Sequence, residues 1–250
     1  MAAAIPSTRS TMSSPDHRTS APRLVGGLAT VAMAGYALPA LAAAWPPLRR
    51  PLGIEDRTRS GRGYALTFDD GPHPEGTPAV LEILARAGVA ATFFLVGEQV
   101  ARSGSLAGEI VAAGHAIGLH CHRHRNLLRL SPAQVRDDIA RAEAIIAEAT
   151  GQHPGTYRPP YGVLNACALR LARSRGWRTL LWSHWGRDWE ARATPASIAA
   201  RVTDGAAEGS VLLLHDADDY AAAGSWRRTA AALPRIIDTL HERGLRAVGA

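Results

Sequence analysis

The sequence predicts an α/β fold: a distorted (β/α)7-type barrel with mostly parallel strands. Three observations carry that expectation. From residue 63 onward, apolar runs of strand length alternate with amphipathic stretches of helix length, a pattern that builds a mostly parallel sheet. The strands recur regularly enough to favour a closed or partly closed barrel over an open sheet. Carboxylates, histidines and an arginine fall at the ends of successive strands, where parallel barrels collect their chemistry.

The elements follow in order. Gly63 to Asp69 begins as an alternating apolar run and reads as a strand that stops at Asp69-Asp70-Gly71-Pro72. Thr77 to Ala87 is helical, with Val80, Leu81 and Leu84 on one face. Ala91 to Val96 is a strand, Gln99 to Ala113 a helix closed by Gly114, and Ala116 to His120 a short strand. Pro132 to Ala149 is a strongly periodic helix capped by Ser131 and ended near Gly151. Thr156 to Arg158 is a strand running into two prolines, Ala166 to Arg175 a helix, and Arg178 to Trp182 a strand. Pro195 to Ala207 is a helix with Thr194 as its cap, and Val211 to Leu214 a buried strand. Trp226 to Arg243 is helical with a kink or break at Pro234, and Leu245 to Val248 is a last strand, the seventh.

The N-terminal part is different. Residues 1–23 are rich in Ser, Thr, Pro and Arg, without periodicity, and are expected to be disordered. Residues 24–45 carry no charge and are long enough for a transmembrane anchor or the apolar part of a signal peptide. Arginines flank this segment on both sides, so the positive-inside rule does not favour an outside C-terminal domain. Residues 46–62 read as a linker, and residues 63–250 as the folded domain.

Composition narrows the chemistry. The chain has 250 residues and a formal net charge of +6, and every one of its 28 basic residues is arginine. Without lysine, Schiff-base catalysis and a P-loop lysine are excluded. The arginines are scattered, so no nucleic-acid footprint is expected. Two cysteines, Cys121 and Cys167, exclude a disulfide framework and a cysteine-rich zinc site.

Five clusters sit at strand ends. The first is Thr67-Phe68-Asp69-Asp70-Gly71-Pro72. Side chains alternate along a strand, so both carboxylates reach one cleft only where the backbone bends. The second runs from Gly114 to His124 and holds four of the ten histidines, an imidazole density that suits a metal. His120 and His124 would meet on a helical turn, whereas His120, His122 and His124 would share a strand face; spacing alone leaves both open. The others are Arg158-Pro159-Pro160-Tyr161-Gly162, Trp182 to Trp189 with Asp188, and Leu212-Leu213-Leu214-His215. Each alone reads as readily as a turn, a surface ion pair or a capping residue; together they read as one site.

In order and spacing these motifs resemble the polysaccharide deacetylase family, the NodB-homology domain of carbohydrate esterase family 4, over about residues 63 to 250. Gly114-His115, Ile117-Gly118 and Asn126-Leu127 fit the same frame. The resemblance implies that Asp70, His120 and His124 bind one divalent metal ion, zinc first, with cobalt or another divalent ion as alternatives. It implies Asp69 as the general base acting on the attacking water, with Arg158 holding it. It implies His215 as the general acid, with Asp188 paired to it and raising its pKa. The metal and a backbone N–H near Tyr161 would stabilise the oxyanion, and Trp189 and Leu213 would wall the acetyl-methyl pocket.

The chain departs from the family at two positions. Cys121 stands where Ser or Thr is usual, and Trp185 where many members have Asp. The implied activity is removal of acetyl groups from N-acetylated sugars of a peptidoglycan- or chitin-like polysaccharide. An O-acetyl esterase or an inactive carbohydrate-binding barrel are the alternatives. The implied partners are an acetylated polysaccharide and, if residues 24–45 are retained, a membrane. The implied location is membrane-anchored or secreted, with the catalytic domain outside the cytoplasm.

Overall fold

The structure is a computed structural model that describes residues 33–250. The expectations for residues 1–23, and for residues 24–32 of the apolar segment, lie outside the described residues. Among the described residues, no helix is long and apolar enough to cross a membrane.

The centre of the fold is a curled sheet of eight parallel strands in the order β1-β6-β5-β4-β3-β2-β8-β7. The strands are β1 (Ile54–Glu55), β2 (Tyr64–Asp69), β3 (Thr92–Leu95), β4 (Ala116–Leu119), β5 (Thr156–Tyr157), β6 (Arg178–Leu180), β7 (His184–Trp185) and β8 (Ser210–His215). All of β2 and β3 is buried, as expected for parallel strands covered on both faces. The curl brings the sheet ends together: just past β1, Arg57 pairs antiparallel with Ser210 of β8. This is the distorted barrel expected from the alternation of elements.

The details differ from expectation where local sequence was ambiguous. Residues 46–62, read as a linker, supply β1, which pairs with β6. Nearby, the buried Arg49 donates to the Ala42 and Trp182 carbonyls and pairs with Asp56 at 2.8 Å. Ala42 belongs to the core of the same unit, Tyr36–Ala250, and the partly buried Tyr36 packs against it. Leu245–Val248 makes only one parallel bridge, Ala247 to Tyr64, while the two-residue β7 was not expected.

The helices Gly76–Ala87, Pro132–Thr150, Ala166–Ser174, Pro195–Thr203 and Ser225–Glu242 lie close to the expected ranges. Ser131 and Thr194 each form a capping box, satisfying orphan N–H groups at their helix starts. The stretch expected as one helix over 99–113 is two, Gly97–Arg102 and Leu106–Ala112, separated at Gly104 with φ +60°. Pro234 sits inside an uninterrupted helix.

Candidate active site

Strand register assembles the site. β2 and β8 run side by side for six residues, from Tyr64 opposite Ser210 to Asp69 opposite His215. The Arg158 N–H donates to the Leu119 carbonyl, so Arg158 leaves β5 beside the point where β4 delivers His120. The candidate residues therefore converge because parallel strands end together.

Two bends then aim the side chains. Asp70 has φ +79°, a left-handed conformation that Asp tolerates better than most residues. This bend answers the alternation problem: Asp69 and Asp70 both line one cavity of about 260 Å³. Cys121 has φ +66° and turns the chain after β4. The histidines then follow neither a helix nor a strand face. His120 and His124 line the cavity; His122 is turned away, its N–H held by Asp138 at 2.8 Å and its ring against Gly97.

Asp70, His120 and His124 form a tight donor group. Asp70 Oδ1 lies 3.5 Å from His120 Nε2 and 3.3 Å from His124 Nε2. Donors bonded to one ion at about 2.0–2.1 Å with tetrahedral angles stand about 3.3 Å apart, so the spacing fits a single metal. His120 Nδ1 is 2.8 Å from the Arg158 carbonyl, which fixes the tautomer with an Nε2 lone pair facing the group. Asp70 Oδ1 is buried with no hydrogen-bond donor among the described residues, a need that a cation would satisfy. Burial pushes the His124 imidazole down to about 4, keeping it neutral as a ligand must be. Burial opposes the Asp70 charge, but the surrounding imidazoles, His120 first, hold its carboxyl well below the usual range.

A carboxylate and an imidazole flank this group. Asp69 Oδ1 accepts from Arg158 Nη1 at 2.7 Å. The guanidinium is fully buried, donates also to Thr67 Oγ1 and the Leu180 and Leu181 carbonyls, and lies 3.9 Å over the Phe94 ring. On the other side, His215 Nδ1 is 3.0 Å from Asp188 Oδ1, while Asp188 Oδ2 accepts from the His215 N–H and the Thr229 hydroxyl. Burial works against charge on His215; Asp188, then Asp70 and Asp69, outweigh it and raise its pKa to about 10.

Tyr161, Trp189 and Leu213 also line the cavity. Sequence reasoning assigned no role to Trp182, Trp185 or Tyr220, which line it too. The three tryptophans form a row, with centroid separations of 5.9 and 5.3 Å, and Trp189 meets His215 edge-on at 5.4 Å. The density of tryptophan over 182–189 was the available signal; Tyr220 had none.

A second donor cluster, His73, Asp218 and Asp219, is only partly buried. There His73 Nδ1 accepts from the Gly76 N–H, so Nε2 carries the hydrogen and faces Asp218 at 3.3 Å with no lone pair to offer a metal.

A family model described as polysaccharide deacetylase matches residues 56–180, a span holding Asp69, Asp70, His120, His124 and Arg158. The peptidoglycan-N-acetylglucosamine deacetylase PgdA of Listeria monocytogenes is 32% identical over 188 residues, covering 75% of this chain and 38% of that protein. The chain thus spans about two fifths of the length of that relative. The chitooligosaccharide deacetylase of Bradyrhizobium sp. (strain ANU 289) is 36% identical over 204 residues, 79% of this chain and 91% of that one. The crystal structure of the Bc1960 peptidoglycan N-acetylglucosamine deacetylase aligns with a TM-score of 0.74 at 31% identity, covering 80% of this chain and 92% of that one.

Proposed function

This chain belongs to the polysaccharide deacetylase family, and from that premise we propose that it is a metal-dependent hydrolase removing acetyl groups from N-acetylated sugars of a peptidoglycan- or chitin-like polysaccharide. The observation that carries the reading is the arrangement around Asp70. Its unsatisfied Oδ1 and two imidazole nitrogens converge, with the Asp69–Arg158 pair on one flank and the His215–Asp188 pair on the other.

Asp70, His120 and His124 would hold the ion, zinc first given one carboxylate and two imidazoles. When bound, a divalent ion there polarises the acetyl carbonyl and lowers the pKa of a water. Asp69 takes a proton from the attacking water, and Arg158 keeps that carboxylate aimed at it. The backbone N–H of Tyr161 donates to the carbonyl oxygen as negative charge develops there. His215 carries a proton at Nε2 and gives it to the leaving nitrogen as the C–N bond breaks; Asp188 on Nδ1 stabilises the charged ring until then. Acetate and a free amine result. Trp189 and Leu213 enclose the methyl group. A substrate of that class supports an extracytoplasmic location for this domain, secreted or membrane-anchored.

The test is acetate release by the zinc-loaded protein from N-acetylated and O-acetylated polymers, with Asp69→Asn alongside. The reading expects release from the N-acetylated polymer and a loss of two or more orders of magnitude in Asp69→Asn. Equal release by the variant would overturn it. Release from O-acetylated polymer alone, undiminished in His215→Ala, would instead make the protein an esterase, since an alkoxide leaves with less help than an amine.

A further inference from the structure

The two imidazoles that face Asp70 are held in different ways. His120 is fixed by a hydrogen bond from Nδ1 to the Arg158 carbonyl. His124 Nδ1 is buried and has no such partner among the described residues. A metal-binding histidine ordinarily has its ring orientation set through that second nitrogen. Here aromatic rings take its place. Tyr220 stacks face to face on His124, with centroids 4.4 Å apart and planes at 18°. Tyr161 meets the same ring edge-on at 4.4 Å.

Tyr220 is itself anchored. Its hydroxyl donates to Glu98 Oε1 at 2.7 Å and accepts from Gln99 Nε2 at 3.1 Å. Glu98 and Gln99 lie on the helix Gly97–Arg102, and the start of that helix is bonded to the loop carrying the histidines. The Gly97 N–H donates to the Cys121 carbonyl and the Glu98 N–H to the His122 carbonyl, at 3.0 and 2.9 Å. The chain of contacts therefore closes on itself, from the loop to the helix, to Tyr220, and back to the His124 ring. Moving the ring out of line requires breaking the stack or this frame.

We propose that Tyr220 is a positioning residue for the metal centre, setting the His124 imidazole by ring stacking in place of the missing hydrogen bond. The inference rests on the metal-centred reading above, and it adds a residue outside the five strand-end motifs. Tyr220 differs in role from the cavity aromatics that face substrate, because its stacked face is occupied by His124.

The experiment titrates the metal-free full-length protein with Co2+, following the visible absorption band, for the wild type, Tyr220→Phe, Tyr220→Leu and Glu98→Ala. Tyr220→Leu is expected to weaken cobalt binding by about 10-fold or more and to alter the band, the scale seen when outer-shell partners of metal-bound histidines are lost. Tyr220→Phe keeps the ring and Glu98→Ala releases its anchor; each is expected to lose only a few-fold, less than Tyr220→Leu. The metal-free melting temperatures of the two milder variants are expected to match the wild type. Wild-type affinity and an unchanged band in Tyr220→Leu would overturn the proposal. If Tyr220→Leu does not fold, unchanged affinity in both milder variants overturns it. A wild type that takes up no cobalt overturns the metal reading itself, so the two failures are distinct.

Discussion

Arg158 Nη1 lies 2.7 Å from Asp69 Oδ1, with the arginine side chain fully buried and the aspartate 4% exposed. Such a pair costs desolvation of both charges, and it is held here by the extra acceptors and the aromatic face around the guanidinium. Removing the arginine strands a carboxylate in the interior. Arg158→Met is expected to lower unfolding free energy by about 3–5 kcal/mol in urea titrations. Arg158→Lys is also expected to be deficient, because one ammonium cannot serve the same set of acceptors with the geometry of a planar fork.

The His215–Asp188 pair makes a pH prediction. The folded pKa of His215 is raised to about 10, above the ordinary histidine value of about 6.5. Its contribution to stability is therefore complete below about pH 6.5 and is lost as pH rises through about 10. In the metal-free protein, NMR titration is expected to place the His215 ring midpoint near 10. In Asp188→Asn the midpoint is expected to fall by several units, since burial then acts with less opposition. A midpoint that stays put in the variant would show that Asp188 does not carry the shift.

Gly71 follows Asp70 where there is no room for a side chain. A Cβ there would lie 2.6 Å from Asp216 Oδ1. Asp216 is fully buried, and burial pushes its carboxyl up to about 7. Gly71→Ala is expected to destabilise the protein by about 1–3 kcal/mol, the usual cost of overpacking, and to weaken cobalt uptake by displacing Asp70. Calorimetry and the cobalt titration would read the two effects separately.

Trp185 stands where many members of the family have Asp. It is 39% exposed, stacked on Trp182 and tilted against Trp189, with the Arg187 guanidinium 5.1 Å from its ring. It lines the cavity, so on the proposed reading it would meet the polymer. Trp185→Ala is expected to raise KM roughly 3- to 10-fold at nearly constant kcat, the size of one aromatic contact. A fall in kcat at constant KM would place Trp185 in the chemistry instead.

The barrel was legible because buried parallel strands such as β3 and β8 centre on apolar runs, Phe93-Phe94-Leu95 and Val211 to Leu214, and because Ser131 and Thr194 announce their helices. What hid was local. β1 is two residues in an arginine- and proline-rich stretch, and its strand character comes from pairing with β6. Leu245–Val248 looks like a strand but reaches the sheet at one residue. The positions of Asp69, Asp70, His120 and His124 at strand ends could be read, and the family resemblance implied one site, but spacing alone did not yield their convergence. That depends on positive φ at Asp70 and Cys121, which spacing does not encode. Tyr220 could not be read at all, because its partners Glu98 and His124 are distant in sequence and join it only through tertiary packing.

On the proposed mechanism two adjacent carboxylates divide the work: Asp70 would bind the ion and Asp69 would act on the water. The direct measurement is zinc content and acetate release, taken together, for Asp69→Asn and Asp70→Asn. Asp69→Asn is expected to keep one zinc per chain and lose release by two or more orders of magnitude, while Asp70→Asn loses the zinc as well. Zinc retained in Asp70→Asn, or full release by Asp69→Asn, would contradict the account.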